Sequence, residues 1–190
     1  MIIKNFEIKK LDKINLNLIL LYGENEGFKH SIINDFFTKN FDGEVQKYEE
    51  DEVFKNYDEF VSNLLNKSFF NDKKLLILSR TSEKILKFIE EIITKDLSDI
   101  KIVINSKSLD KKSKLRSFFE KKEECACIPF YEDDERTLSQ MASSFFTKNK
   151  ISISREMLNI IVDRCRGDRQ NLENELEKIS SLLSSKRIIT

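Results

Sequence analysis

Proline occurs once in these 190 residues, histidine once, cysteine three times, glycine four times and tryptophan never. Each scarcity closes a route. The lone histidine, His30, is the only imidazole for a Ser-His-Asp or Cys-His arrangement, and it stands at a helix start with no obvious partner. The cysteines are odd in number: Cys125 and Cys127 form a C-A-C and Cys165 stands alone, matching neither a disulfide framework nor zinc spacing. They are expected to be buried apolar filler. Charge of one sign is also missing, since 33 basic residues meet 33 acidic ones for a formal net charge of +0. Nucleic acid therefore has no global field to follow. The most apolar run, LNLILLY (16–22), is far shorter than the roughly 20 residues of a membrane span. The N-terminal MIIKNFEIKK lacks the long apolar centre of a signal peptide. With 35% charged residues and a mean hydropathy of −0.44, a soluble, cytoplasmic chain is expected, with no membrane contact.

What is present is an alternation of two hydrophobic periods. Buried strands are expected at 16–22, 73–79, 100–105 and 125–130, with a shorter extended piece at 44–50. Between them the spacing predicts helices over 28–40, 54–67, 82–95 (with Ser82 as N-cap) and 111–122. Such alternation implies an α/β fold with a mainly parallel, three-layer sheet. After Pro129 and the acidic YEDDE (131–135) strand signals stop, and helices are expected over 136–149, 154–166 and 169–184. A domain boundary is placed at 131–135, giving an α/β domain over 1–130 and a small helical domain over 131–190. The ending KRIIT has no cap or polar tail, so the chain is expected to continue in the native protein.

The stretch LLYGENEGFKHS (20–31) sits where a phosphate-binding loop belongs, after a buried strand and before a helix. In G-x-x-x-x-G-K-[ST] the glycines let backbone N–H groups close around phosphate, the lysine reaches the β and γ oxygens, and the hydroxyl holds Mg²⁺. Counted from Gly23, Lys29 is in place. The second glycine is displaced to Gly27 with Phe28 in its position, and His30 replaces the hydroxyl, with Ser31 one residue late. A Phe side chain intrudes where backbone must touch phosphate, and imidazole is a poor Mg²⁺ ligand. The loop has the outline of a P-loop and is not expected to hold nucleotide. The strand LLIL is followed by Ser79, Arg80 and Thr81, with no carboxylate before Glu83 to hold a metal. Asn105, at the end of the strand IKIVIN, stands where P-loop ATPases keep a γ-phosphate-sensing side chain, but it is expected to form a turn instead. No catalytic residue, metal or cofactor is assigned.

Four segments in order resemble one family: LLYGENEGFKHS, NKSFFNDKKLLIL (66–78), INSKSLDKKSKLRSFFEKK (104–122), and CIPFYEDDERTLSQ (127–140) followed by GDRQNLENELEKIS (167–180). Their spacing is similar to that of the delta subunit of the bacterial DNA polymerase III clamp loader, over essentially the whole chain. The resemblance implies a P-loop NTPase (AAA+)-like α/β domain and a helical lid, with a C-terminal collar domain that this chain lacks. It implies a subunit of the polymerase holoenzyme that neither binds nor hydrolyses ATP. Its partners would be the sliding clamp (beta subunit), whose ring it opens for loading onto primed DNA, and other loader subunits through the missing domain. Any contact with DNA would be indirect or weak. The family contacts the clamp through a hydrophobic wedge, commonly Ser-Leu-Phe, after the second helix. The matching residues here are Ser68, Phe69 and Phe70, with an aromatic in the usual leucine position. In the lid, family ATPases use an arginine three residues after a glycine; here Gly167 is followed at that position by Gln170. Arg169 comes one step early and is expected to cap the helix or to pair with Glu173.

Two other readings stand beside this one. A divergent P-loop NTPase would bind nucleotide through Gly23 and Lys29. A nucleic-acid-binding module would use Lys107, Lys111, Lys112, Lys114 and Arg116, although Asp110, Glu120, Glu123 and Glu124 dilute that charge and favour a solvated helix.

Overall fold

A computed structural model describes residues 1–14, 16–66 and 73–186. The chain forms two compact units, Met1–Phe130 and Tyr131–Thr190.

In the first unit five strands form one sheet: β1 (Leu18–Tyr22), β2 (Glu44–Glu49), β3 (Lys74–Thr81), β4 (Ile100–Ser106) and β5 (Cys125–Pro129). Their order is β2-β3-β4-β1-β5 and every pairing is parallel. The central strands are continuous apolar runs because both faces of the sheet are covered. Alternate residues go to opposite layers. Leu18, Leu20, Leu76, Leu78, Ile102, Ile104, Cys125 and Cys127 pack beneath α2 (Glu50–Lys55), α3 (Tyr57–Leu65), α4 (Ile85–Ile92) and α5 (Lys114–Lys121). Ile19, Leu21, Leu75, Ile77, Val103, Ala126 and Ile128 face the other way, against α1 (Glu26–Ile32), its π-helical continuation Ile33–Thr38, and a 3-10 helix over Asn5–Lys13. Three layers follow directly from that period of two.

Local chemistry moves several boundaries from where periodicity puts them. The helix expected over 54–67 is two helices, because Asn56 leaves helical geometry at φ −135° and ψ 64°. The first of the pair starts early, on a capping box in which the Glu49 side chain caps the helix and Glu52 returns a bond to the Glu49 N–H at 2.7 Å. Ser82 is not the N-cap of α4, which begins at Ile85; its hydroxyl donates to Glu50 at 2.7 Å and accepts from the Lys84 N–H. At the N-terminus Ile2 bridges Cys127 in parallel beside β5, and the Met1 amino group donates to the carbonyls of Phe119, Lys122 and Cys125. The sequence reading assigned no element to this segment, whose pairing lies with residues more than a hundred positions away.

The second unit holds α6 (Glu135–Lys148), α7 (Arg155–Cys165) and α8 (Arg169–Lys186). Asp134 caps α6 by accepting from the Thr137 N–H, and Ser154 caps α7 by accepting from the Met157 N–H. Arg166 (φ 50°) and Gly167 (φ 79°) turn the chain from α7 into α8. Leu138, Ala142, Phe146, Val162, Cys165, Leu172 and Leu176 form its own core.

Candidate functional site

In a parallel sheet of this kind ligands bind outside the C-terminal ends of the strands, where neighbouring connections leave in opposite directions. Here that place is the turn after β1, between β4 and β5. Only Gly23, Glu24 and Asn25 separate β1 from α1, so Gly27, Phe28 and Lys29 already lie within the helix. Of these three, the Lys29 N–H donates to the Asn25 carbonyl at 3.1 Å and the Phe28 N–H to the Asn25 side chain.

Several main-chain donors of this turn have acceptors inside the chain. Gly23 N–H donates to the Lys107 carbonyl at 3.2 Å, and Asn25 N–H to the Phe130 carbonyl at 3.2 Å. Phe28 N–H donates to the Asn25 side chain at 3.0 Å, which makes Asn25 the N-cap of α1. Gly23 adopts φ +127°, and a Cβ there would lie 2.0 Å from the Phe130 carbonyl oxygen. Only glycine fits both the backbone and the space. Phe28 meets Phe130 edge to face at 5.1 Å, so the ring that breaks the motif also packs the turn onto the end of β5.

Lys29 is fully buried. Its ammonium donates to the Ser106 carbonyl at 2.6 Å and to the exposed Glu26 carboxylate at 2.8 Å. Burial pushes its pKa below the ordinary lysine value, and Glu26 pulls it part of the way back. Glu24 and Glu26, both exposed, place negative charge at the mouth of the turn, where a phosphate would be repelled. His30 is exposed on α1, and the Ser31 hydroxyl lies 3.4 Å from Asp35.

The neighbouring strand ends follow the same pattern. Arg80, in the left-handed region at φ 54°, pairs with Glu49 at 2.9 Å. Thr81 Oγ1 donates to the Asn105 carbonyl and Ser106 Oγ to the Thr81 carbonyl, lacing β3 to β4. Glu83 takes the Ser113 hydroxyl and the N–H groups of Lys114 and Leu115, capping α5 rather than facing the turn. Asn105 is a residue of β4 and not of a turn, and its side-chain oxygen is buried with no hydrogen-bond partner among the described residues. No group of three His, Cys, Asp or Glu side chains among the described residues could hold a metal.

Ser68, Phe69 and Phe70 lie outside the described residues. What the structure places is the frame around them: α3 ends at Leu65 and β3 begins at Lys74, at the N-terminal edge of the sheet and opposite the Gly23 turn. Lys74 is buried, and its ammonium donates to the carbonyls of Asn63, Leu64 and Asn66 at 2.9, 3.1 and 2.6 Å. The sequence reading passed over this residue, because a lysine at the start of an apolar run looks like a solvated strand end.

Of the basic residues over 107–122, Lys107, Lys111, Lys112 and Lys114 are exposed. Arg116 is engaged internally, with Glu120 at 2.8 Å, the Leu109 carbonyl at 3.2 Å and the face of Tyr22 at 5.0 Å. In the second unit Arg169 grips Asp133 with two bonds of 2.7 Å, a partner 36 residues away that helix spacing alone did not suggest. The pair is largely shielded from solvent. Cys125 and Cys127 are buried, and burial pushes their thiols up to about 11 and about 12; the buried Cys165 thiol is raised as well. Among the described residues no helix is long and apolar enough to cross a membrane.

No family model matches the chain. A probable DNA polymerase III subunit delta of Rickettsia prowazekii (strain Madrid E) is 24% identical over 177 residues, which cover 92% of this chain and 52% of that protein. Among solved structures, the Bacillus subtilis DNA clamp loader delta protein matches with a TM-score of 0.56 at 17% identity, over 94% of this chain and 57% of that one. The replication initiator DnaA bound to AMPPCP and single-stranded DNA matches at 0.58 and 16% identity, over 95% of this chain and 62% of that one. The Thermotoga maritima RuvB Holliday junction branch migration motor matches at 0.52 and 14% identity, over 95% of this chain and 60% of that one. The chain spans about half the length of the curated relative it matches. Its fold is that of AAA+-type P-loop proteins, and the resemblance to a clamp loader delta subunit recurs in both sequence and structure.

Proposed function

We propose that residues 1–190 are the ATPase-like domain and lid of a clamp loader delta subunit, a non-catalytic part of the replication machinery that binds the sliding clamp and opens its ring. The observation that carries this reading is the self-sealed turn on an AAA+-type sheet: the Gly23, Asn25 and Phe28 N–H groups and the Lys29 ammonium all have acceptors within the chain. An AAA+ ATPase needs those donors for phosphate; a subunit that serves only as a docking piece does not. Gly23, Gly27 and Lys29 are on this reading relics of the motif, of which Gly23 and Lys29 now bond to the end of β4. No nucleotide, metal or catalytic step is involved.

Clamp contact is assigned to Ser68, Phe69 and Phe70. Burying two adjacent phenylalanines in a partner's pocket contributes about 1.5–3 kcal/mol each before association costs, the profile of a hot spot. A C-terminal collar, outside these residues, would carry the contacts with other loader subunits, and any contact with DNA would be weak. The setting would be the cytoplasm. The test is binding of the purified chain to its cognate clamp, beside Phe69→Ala/Phe70→Ala checked for unchanged folding. The parent should bind, and the double variant should lose at least about 2 kcal/mol. Failure of the parent to bind would overturn the reading.

A further inference from the structure

The outer face of α7 carries apolar side chains that its own unit does not use. Leu158, Ile161, Val162 and Cys165 turn inward and pack with the core of the three helices. At about 100° per residue, that places Ile160 on the opposite side of the helix, and it is 53% exposed. Met157, one turn earlier, is 51% exposed. A surface helix ordinarily keeps its apolar stripe for the core and gives the far side to charge. Here the ridge splits the charges. Counting around the helix from Ile160, Glu156 and Asp163 fall about 40° and about 60° to one side, and Met157 and Arg164 about 60° and about 40° to the other. All four are exposed. Among the described residues neither Asp163 nor Arg164 has an ion-pair partner, and adjacent positions do not face each other on a helix. Glu175, on α8, feels Arg164 through space, but Lys178 holds that carboxylate at 2.8 Å.

We infer that this face is a contact between two copies of the chain, joined about a two-fold axis that runs parallel to α7. The split charge singles out a second copy and its direction. Two helices that meet antiparallel about a two-fold set each flank against itself, so the carboxylates of Glu156 and Asp163 would face the same two carboxylates. Two parallel helices set each flank against the other one. Ile160 then packs on its own counterpart, and Arg164 of each copy reaches Asp163 of the other, two ion pairs from one contact. The apolar ridge leaves water, and both charges gain the partner that their own chain does not give them. A pair of 11-residue helices is a smaller contact than the roughly 1,200 Å² at which stable interfaces begin. The dimer is therefore weak, forming at concentrations on the order of 0.1 mM. The inference draws on the second unit alone and does not depend on clamp binding.

The experiment is sedimentation equilibrium of residues 1–190 over a concentration series reaching about 1 mM, with melting temperature as the check on folding. The parent should pass from monomer to dimer. Ile160→Glu, a change at an exposed position, should melt like the parent and associate at least about tenfold more weakly. Asp163→Arg sets arginine against arginine across the contact and Arg164→Asp sets aspartate against aspartate, so each alone should stay monomeric. An equimolar mixture of these two variants restores opposite charges and should associate at least as well as the parent. The double reversal Asp163→Arg/Arg164→Asp should associate like the parent. If Arg164→Asp does not fold, Arg164→Ala, which removes the pair without reversing it, takes its place and should fall between. A parent that remains monomeric throughout overturns the inference and leaves the proposed function untouched. Association that survives Ile160→Glu puts the contact on another face, and association that strengthens in Asp163→Arg alone makes it antiparallel; either result overturns the inference too.

Discussion

Two lysines are buried among the described residues, one at each end of the same sheet, and they are buried for different reasons. At the C-terminal end Lys29 lies against Ser106 and Glu26 and helps close the turn that a nucleotide would need open. At the N-terminal end Lys74 has three carbonyls and, among the described residues, no carboxylate, and it joins the end of α3 to the start of β3. Lys29 is a motif residue turned inward, whereas Lys74 belongs to no motif at all. The difference teaches that a buried charge is to be understood through its acceptors: a solvated carboxylate can look after itself when the lysine goes, and a helix end buried under that lysine cannot.

The strongest way to break the contrast is at Gly23. Gly23→Ala must hold a left-handed backbone and push its Cβ into the Phe130 carbonyl, and strain and overlap together should lower stability by at least about 3 kcal/mol. Urea unfolding of the first unit measures it, and near-parental stability would mean that the turn is open rather than sealed. Next comes Lys74→Met, which strips three carbonyls of their donor and should lower stability by about 2 kcal/mol in the same assay. Lys29→Met should do less, under about 1 kcal/mol in either direction, because relief of desolvation offsets the Ser106 bond and Glu26 remains in water. Its pH dependence sharpens the point. A lysine whose pKa is lower folded than unfolded leaves the unfolded chain with more bound protons between the two values. The penalty is present at low pH and relieved as pH rises through the folded value toward 10.5, the ordinary one. The parent should therefore gain on Lys29→Met as the solution becomes alkaline, and a difference that stays flat would show that burial does not perturb this ammonium. The smallest effect is expected from Mg·ATP. A nucleotide at 100 times its Kd adds about 2.7 kcal/mol, and none of that should be visible in a thermal melt; a clear upward shift would restore the NTPase reading.

Much of the first unit was legible because a doubly covered parallel strand is a continuous apolar run, so LNLILLY, KKLLILS and IKIVIN declare themselves. The break at Asn56 was not legible, since asparagine disfavours helix only weakly and the outcome was decided by the capping box at Glu49 and Glu52. The short pairing of Ile2 with Cys127 and the Asp133–Arg169 clamp depend on residues far apart in sequence, which no local pattern reveals. At the candidate site the missing glycine and hydroxyl could be counted from the sequence. That the leftover donors would be taken by Lys107, Phe130 and Ser106 could not, because those carbonyls come from the far ends of two other strands. Lys74 carried no signal beyond being polar at the edge of an apolar run.

The sealed turn has a thermodynamic corollary. A ligand shifts a protein between states only by its difference in affinity for them. On the proposed reading, a turn that already holds its own acceptors offers a nucleotide no state worth selecting. On the proposed function, the clamp is then bound with an affinity that nucleotide concentration does not set. If the proposed function holds, control comes by mass action or from partner subunits.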